Sequence, residues 1–352
     1  MVSTSKLVSI FSVADRFISF EAGAQSCLDL VRQFLTGYFL KPVTVPDPTI
    51  PIAHAIRIHS DQFSLPEFPS TAFEIEDGRC FVNLEKLLLD VNGSMIEIGD
   101  RASATSDVWL SETTAQRHPL ALNNAILYAV QGALRRAGLY QLHAAAVLPP
   151  ESASNRGILF VGASGSGKST WTALLTVLGW RFVSDDNLLL SYRNEDAVVW
   201  AFRRDFALAE PTLALPLIKR FESFTNGLVP SDERKLRFAA HRAFPERFVA
   251  SCTPRVLFFP EITDAVETSV QPLNQSEALI RLLGQCPWAA YDPAVARAHQ
   301  KALRDLSCQA TSYSLLAGKD VVEEPAEAAE IINRVISYST HYNGSAGGSA
   351  AL

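Results

Sequence analysis

The chain has 352 residues, of which 48% are hydrophobic and 19% are charged. This length and composition are typical of a folded globular protein of two domains and exclude a largely disordered chain. The net charge of −6 provides no general attraction to nucleic acid or to an anionic membrane surface. We therefore expect neither nucleic acid nor a membrane as a partner.

Cysteine spacing and hydropathy indicate the compartment. The five cysteines are scattered and form no CxxC pair, which is typical of reduced thiols. No apolar run reaches the roughly 18 to 20 residues that a membrane-spanning helix needs. Asp15 and Arg16 also interrupt the first apolar segment before it could serve as a signal peptide. These features predict a cytoplasmic protein.

Residues 1–115 have the patterns of a mixed α/β domain and carry no motif that indicates a chemistry. Residues 73–75 followed by Asp77 and Gly78 predict a hairpin. Pro119 then opens a helical pattern that Gly138 is well placed to end. We place a domain boundary near residue 115, and the role of the N-terminal domain is unknown.

Short apolar runs separated by turn signals predict a second α/β domain over residues 116–339. The runs at residues 144–147 and 157–161 predict buried strands, and the helix after the second run ends at Gly179. Residues 340–352 are rich in Gly, Ser and Ala and are predicted to be disordered. Further strands are predicted at residues 181–184, 187–192, 198–202 and 255–259, and further helices at residues 276–283, 294–306 and 326–337.

A glycine-rich loop between the strand at residues 157–161 and the following helix fits the pattern GxxxxGK[ST]. Its glycines let backbone amides turn toward phosphate oxygens, and the helix adds the positive end of its dipole. Lys168 is predicted to neutralise the β- and γ-phosphates of ATP, and Ser169 to offer its hydroxyl to Mg²⁺. A purely structural turn is the alternative. The predicted ATP-binding residues are Gly162, Ala163, Ser164, Gly165, Ser166, Gly167, Lys168, Ser169 and Thr170.

Asp185 and Asp186 follow the strand predicted at residues 181–184. If this strand pairs in parallel with the strand before the glycine-rich loop, both carboxylates reach the edge of the sheet at which the loop lies. One could then accept a proton from an attacking hydroxyl while the other helps to hold a metal ion. The alternative is that both are turn residues. His143, beside an apolar run, is either a structural hydrogen-bonding residue or a catalytic one.

The segments at residues 142–147, 162–170 and 179–186 together resemble the HPr kinase/phosphorylase superfamily, and the resemblance covers roughly residues 120–337. They look most like HPr-kinase-related proteins found beside peptide-modification genes. The resemblance implies a P-loop kinase domain related in fold to phosphoenolpyruvate carboxykinase, which uses ATP and Mg²⁺ to phosphorylate a serine hydroxyl of a peptide or protein.

The same resemblance implies a role for each matching residue. Asp185 would be the general base, Asp186 a metal-associated carboxylate, and His143 a neighbour of the transferring phosphate. It further implies a homo-oligomer, and a biosynthetic precursor peptide, such as a lasso-peptide precursor, as an acceptor. The glycine-rich signature that follows the aspartates in HPr kinase/phosphorylases is missing, and Glu210 is the nearest candidate for the metal-associated glutamate of that family. This departure puts the reverse phosphorylase reaction and HPr itself in doubt.

Other functions remain open on the sequence alone. An ABC-type ATPase is disfavoured because the chain has no LSGGQ-like signature and the apolar run at residues 256–261 lacks the expected aspartate. A nucleotide-binding regulator that transfers nothing would not need the acidic pair. A kinase of small hydroxyl compounds is not separated from a peptide kinase, and the phosphate motifs do not distinguish ATP from GTP or pyrophosphate.

Residues 215–250 are locally basic within an acidic protein. Such a stretch is either solvated surface or a segment that closes over phosphates or docks an acidic peptide. Arg203 and Arg204, after a predicted strand, could also face the nucleotide. The basic side chains of the stretch are Lys219, Arg220, Arg234, Lys235, Arg237, Arg242 and Arg247.

Overall fold

The computed structural model of the chain describes residues 7–43, 49–59, 72–75, 78–83, 86–110, 119–150, 155–229 and 232–342. The chain forms two units, both of mixed α/β structure. Unit 1 comprises Met1–Gln141 and Cys286–Lys301, and unit 2 comprises Leu142–Gln285 and Ala302–Leu352. Within the described residues, no helix is both long enough and apolar enough to cross a membrane.

Unit 1 contains one nine-stranded sheet. Its strands are β1 (Leu7–Val13), β2 (Arg16–Ala22), β3 (Lys41–Pro42), β4 (Ile52–His59), β5 (Phe73–Ile75), β6 (Gly78–Asn83), β7 (Lys86–Val91), β8 (Ser94–Ile98) and β9 (Thr105–Trp109). Their order in the sheet is β3-β1-β2-β4-β9-β8-β7-β6-β5. The predicted hairpin is present as the antiparallel pair of β5 and β6, although Asp77 lies outside the described residues.

Two described helices of unit 1 precede residue 140 in the sequence, and the sequence predicted only the second of them. They are α1 (Gln25–Leu35) and α2 (Pro119–Arg136), and α2 packs on β4, β8 and β9. Gly138 closes α2 as predicted, because its φ of +81° turns the chain so that the amide of Leu139 donates back to the Leu134 carbonyl at 2.9 Å. The packing of α2 within unit 1 explains why the observed division differs from the expected boundary near residue 115.

Unit 2 contains a larger and a smaller sheet. The strands that follow β9 along the chain are β10 (Tyr140–Leu148), β11 (Arg156–Val161), β12 (Arg181–Ser184), β13 (Asn187–Arg193), β14 (Asp196–Ala201), β15 (Phe206–Ala209), β16 (Thr225–Val229), β17 (Asp232–Phe238), β18 (Ser251–Ile262), β19 (Ser269–Leu273) and β20 (Thr311–Ala317). The smaller sheet has the order β15-β17-β16. The larger sheet has the order β11-β10-β13-β14-β18-β20-β19, with β12 paired to β10 and β11 also paired to β18.

Of the remaining helices that the structure describes, the four longest lie close to predicted positions, and the five helices of four residues were not predicted. The remaining helices are α3 (Lys168–Val177), α4 (Glu210–Leu213), α5 (Pro216–Lys219), α6 (Ala240–Ala243), α7 (Gln275–Gly284), α8 (Trp288–Tyr291), α9 (Ala296–Gln309), α10 (Asp320–Glu323) and α11 (Pro325–Tyr342). Of these, α8 and the first part of α9 belong to unit 1. The prediction of a tail that is disordered from residue 340 is wrong at its start, because α11 continues to Tyr342. Residues 343–352 lie outside the described residues.

The strand before the acidic pair does not pair with the strand before the glycine-rich loop, so the parallel pair considered from the sequence is not formed. Instead, β10 lies between them, and both β11 and β12 are antiparallel to it. Two strands that are each antiparallel to a third run in the same direction. The C-terminal ends of β11 and β12 therefore still reach the same edge, with β10 inserted between them.

The helix after the glycine-rich loop is buried on more than its apolar face. Trp171 and Leu174 are buried, and Thr172 and Thr176 are also fully buried. This happens because α3 contacts β11 and β12 of the larger sheet and β15 of the smaller one. The two hydroxyls donate to carbonyls four residues earlier, at 2.8 and 2.7 Å, so their burial leaves no unbonded polar group.

Candidate functional site

Three segments of unit 2 meet at one edge of the larger sheet. The glycine-rich loop follows β11, and Asp185 and Asp186 follow β12. His143 lies in the N-terminal half of β10, next to Ala144, whose register partner is the last residue of β11. Because β10 runs opposite to both neighbours, its beginning and their ends share this edge.

The glycine-rich loop is built around two residues in the left-handed region. Gly165 and Gly167 have φ angles of +85° and +98°, which residues with a side chain rarely adopt. Gly167 is also the N-cap of α3 and has no side chain with which to cap the helix. The first amides of a helix have no partner within it, and a helix N-terminus of this kind favours an anion.

Lys168, the first residue of α3, holds its ammonium group at the loop. Its side chain is buried, and Nζ donates to the carbonyl oxygens of Gly162 at 2.6 Å and Ala163 at 2.9 Å. Burial lowers the pKa of Lys168, while the negative charges of Asp186 and Asp185 oppose that shift. The loop carbonyls thus hold a cation near two carboxylates.

Asp185 is fully buried. The amide of Ala207 donates to Oδ2 at 2.8 Å, and Oδ1 has no hydrogen-bond partner among the described residues. Burial, followed by the negative charge of Asp186, raises the pKa of Asp185 to about 6, against the influence of the Ala207 amide, Arg203 and Ser169. Asp185 is therefore a carboxyl group with an unusually high proton affinity, and within the described part of the chain its Oδ1 accepts no hydrogen bond.

The pKa of Asp186, the next residue, is shifted in the opposite direction. Asp186 lies 2.8 Å from His143 Nε2 and 3.4 Å from Arg203 Nη1, and Asn187 Nδ2 donates to it at 2.9 Å. Burial would raise the pKa of Asp186, but the hydrogen bond and charge of His143 and the charges of Arg203 and Lys168 hold it well below its usual range. Asp186 is therefore a stable carboxylate.

The oxygen atoms at this edge suit a magnesium ion that arrives with a phosphate group. Within the described ranges, no group of three or more His, Cys, Asp and Glu side chains is placed to hold a metal ion by itself. Magnesium usually takes one or two carboxylates together with phosphate oxygens and water. The unbonded Oδ1 of Asp185, the ionised Asp186 and the Ser169 hydroxyl are ligands of that kind.

The smaller sheet supplies contacts that the sequence did not indicate. Asp185 is held by the amide of Ala207 on β15. The hydroxyl of Thr212 on α4 lies 2.8 Å from that of Thr170, at the start of α3. A backbone amide has no signature in the sequence, and a single threonine belongs to no motif. No sequence signal could have found either contact.

The basic residues noted in the sequence divide into several roles. Lys235 on β17 donates to the hydroxyl of Ser164 in the glycine-rich loop at 3.2 Å. Arg203 pairs with Asp186, whereas Arg247 bonds the carbonyl of Thr176 at the C-terminal end of α3. The stretch is therefore a folded part of unit 2, and one of its lysines reaches the loop.

Two further candidates from the sequence are not brought into the hydrogen bonds of the site. Glu210, the candidate for a metal-associated glutamate, is an exposed residue at the start of α4. Arg204 lies near His241, whose pKa is lowered by burial and then by the charges of Arg204 and Arg242, with Asp205 opposing. Neither of the two is among the described partners of Lys168 or Asp186.

Comparison with known proteins does not identify the family or the activity of this chain. No model of a known protein family matches the chain, and no curated protein sequence matches it. Among solved structures, the chain is similar to the HPr(Ser) kinase/phosphatase from Coxiella burnetii at 9% identity, over 59% of this chain and 99% of that chain, with a TM-score of 0.29. A TM-score of this size establishes neither a common fold nor a common activity.

Proposed function

We propose that unit 2 is an ATP-dependent kinase domain of the HPr-kinase-like type, and that it transfers the γ-phosphate to a serine or similar hydroxyl. The observation that carries the proposal is the meeting at one sheet edge of a loop-bound ammonium, Lys168, with two adjacent carboxylates of opposite electrostatic character. Phosphoryl transfer needs such a set, because it depends on positioning and charge stabilisation together with a proton acceptor.

The phosphate end of the nucleotide is held by the glycine-rich loop and α3. The amides of the loop and of the first turn of α3 donate to phosphate oxygens, and Lys168 exchanges its carbonyl partners for the β- and γ-phosphates. Ser169 and Asp186 would hold a magnesium ion, which would offset phosphate charge. His143 and Arg203 keep Asp186 ionised and oriented for this role.

Asp185 is the proton acceptor. As the hydroxyl oxygen bonds to the γ-phosphorus, its proton passes to Asp185, and the bond to the bridging oxygen breaks so that ADP leaves with the electron pair. A pKa of about 6 suits a base that works near neutral pH. Because Asp185 is fully buried, the acceptor hydroxyl has to enter the interior of the site to reach it.

The acceptor is a serine of a peptide or protein, and a biosynthetic precursor peptide is the first choice. The resemblance of the three motif segments to HPr-kinase-related proteins supports this choice.

A nucleotide-binding regulator is the second candidate function, and one observation favours it. Asp185 is closed off from solvent and is bonded to the Ala207 amide, as expected for a carboxylate that senses a bound nucleotide through the smaller sheet. Such a protein would bind ATP through the glycine-rich loop and transfer nothing.

The deciding experiment is incubation of the purified chain with Mg²⁺ and γ-labelled ATP, in the presence of serine-containing peptides or small alcohols. Label is followed by mass spectrometry in peptide, protein and free phosphate. Transfer to a peptide that is lost in Asp185→Asn but kept in Asp196→Asn supports the kinase. Asp196 is a matched control, since it pairs with Arg255 in a half-exposed ion pair away from the acidic pair.

Other outcomes separate the alternatives. Transfer that survives Asp185→Asn but is lost in Asp186→Asn would move the role of base to Asp186. ATP bound with no transfer to any acceptor would favour the regulator. A wild-type chain that binds no nucleotide would overturn both functions.

A further inference from the structure

Lys235 is the one basic residue of the locally basic stretch that is hydrogen-bonded to the glycine-rich loop among the described contacts. Its Nζ donates to Ser164 Oγ at 3.2 Å, although the two residues are 71 positions apart. It is also near enough to Lys168 for its charge to lower the pKa of that residue, after the larger effect of burial. Two ammonium groups therefore lie at one loop.

The position of Lys235 is fixed by strands that already hold the site. In the smaller sheet, Lys235 on β17 is the register partner of Ala209 on β15. The same strand β15 binds Asp185 through the Ala207 amide, and Thr212, three residues beyond Ala209, contacts Thr170. β17 thus brings Lys235 to the loop from a sheet whose strand β15 is bonded to Asp185 and leads into the helix that contacts Thr170.

Two ammonium groups at one loop repel each other, and at Lys168 the charges of Asp186 and Asp185 exceed that repulsion. Lys168 and Lys235 thus bring two positive charges to the loop that is proposed to bind phosphate. A magnesium–triphosphate still carries net negative charge, and a single lysine does not neutralise it.

We propose that Lys235 is a second phosphate-contacting residue, which exchanges the Ser164 hydroxyl for an oxygen of the terminal phosphate and makes the site selective for a nucleoside triphosphate over a diphosphate. This inference rests on the proposed function, because it needs a nucleotide in the loop. The long stem of lysine allows the exchange without movement of β17. After transfer, loss of the terminal phosphate returns Lys235 to Ser164 and weakens the hold on the diphosphate product.

The test is the affinity of the full chain for ATP, ADP and AMP in the presence of Mg²⁺, measured by calorimetry. Lys235→Ala is expected to weaken ATP binding by roughly 10- to 100-fold, the size expected for one hydrogen bond to a charged group. ADP binding should change much less, and Lys235→Arg, which keeps the charge, should recover part of the loss. Arg234→Ala is the matched control, because Arg234 is exposed and adjacent side chains of a strand point to opposite faces.

A structural role for Lys235 predicts a different pattern. If Lys235 only props the loop through Ser164, then Ser164→Ala should reproduce the whole loss, ATP and ADP should weaken equally, and Lys235→Ala should add nothing in the Ser164→Ala background. That pattern would overturn the inference. Thermal unfolding of each variant shows that the loss is not one of folding.

The failure of this inference is distinct from that of the proposed function. A wild-type chain that binds ATP, together with a Lys235→Ala chain that binds it equally well, removes Lys235 from the phosphate site and leaves the kinase proposal intact. A wild-type chain with no affinity for ATP removes both.

Discussion

The two units bury charged groups in opposite ways. In unit 1, Asp292 is fully buried and its Oδ2 accepts from Arg135 at 2.8 Å and from Arg136 at 2.6 Å. In unit 2, the hydrogen bonds of Lys168 and Asp185 are made to backbone carbonyls and to a backbone amide. Unit 1 pairs its buried charges with each other, whereas unit 2 holds its buried charges by the main chain.

This difference separates a structural use of charge from a functional one. Paired buried charges are costly to separate, because removal of one partner leaves the other uncompensated in a poorly solvated place. Charges held by neutral backbone groups keep their capacity to bind an oppositely charged ligand. We therefore expect unit 1 to respond to charge removal with a loss of stability, and unit 2 with a loss of ligand binding or transfer.

The largest expected effect is on the stability of unit 1. Asp292→Ala should lower the free energy of unfolding by about 3 to 5 kcal/mol, since it strands the buried guanidinium groups of Arg135 and Arg136. The measurement is a urea titration followed by hydrogen exchange of unit 1 amides. Asp29→Ala, which removes an exposed partner of Arg32, is the control and should change little. Equal effects from the two substitutions would contradict the comparison.

The next effect is on transfer by unit 2. Lys168→Ala should reduce the rate of phosphoryl transfer by about 10²- to 10³-fold, the effect of removing one group that stabilises transition-state charge. Its effect on unfolding should be small in comparison, because the side chain is bonded only to loop carbonyls. Single-turnover kinetics and urea titration measure the two quantities, with the exposed Lys219→Ala as control. A loss of stability as large as that of Asp292→Ala would break the distinction between the units.

Acid should destabilise unit 1 through two buried histidines. Burial and the charge of Arg136 lower the pKa of His54 from 6.5 to about 4. Burial and the charge of Arg135 lower the pKa of His299 to about 4 as well, although the negative charge of Asp292 acts in the opposite direction. The unfolded chain then binds more protons between these values, so stability present above pH 6.5 is lost as the pH falls toward 4. At pH 5 the loss is about 2 kcal/mol for each histidine.

The pH dependence is measured as the change in the free energy of unfolding between pH 7 and pH 5. His299→Gln should make this change smaller by the contribution of one histidine, whatever its effect at pH 7. His59→Gln is the control, since the imidazole of His59 is partly exposed and bonded to Asp107. An unchanged slope in His299→Gln would show that this imidazole does not remain neutral in the fold.

The smallest effects should come from two glycines that have a positive φ and open space around them. Gly138 in unit 1 and Gly165 in unit 2 have φ angles of +81° and +85°, with nothing within 4 Å of an added Cβ. Gly138→Ala and Gly165→Ala should each cost about 1 kcal/mol of stability, because alanine disfavours this backbone region. Only Gly165→Ala should also weaken ATP binding. Equal nucleotide affinity in both variants would remove the loop from the binding site.

Local signals in the sequence predicted individual elements in both units. Pro119, Gly138 and Gly179 marked helix ends, and the observed φ of Gly138 and Gly179 is positive as such a role requires. The spacing of the glycines before Lys168 predicted a loop between a strand and a helix, and that loop is present. These features depend on neighbours within a few residues, so a single sequence is sufficient to reveal them.

Such local signals do not predict which strands pair with each other. From the sequence, the strands before the glycine-rich loop and before Asp185 could lie side by side, but β10 lies between them. Strand order depends on which surfaces the rest of the chain covers, and apolar runs of similar length do not encode their neighbours. The expected meeting of loop and aspartates nevertheless held, because direction rather than adjacency determines which ends share an edge.

The sequence by itself determined which side chains are available for chemistry: a glycine-rich loop with Lys168 and Ser169, and two adjacent aspartates. Only the tertiary structure decided that Asp185 is buried on the Ala207 amide while Asp186 faces His143 and Arg203, and that Lys235 reaches Ser164. The reason is physical. Residue type fixes which group can titrate or donate, whereas its pKa and its partners depend on desolvation and on charges brought from distant parts of the chain.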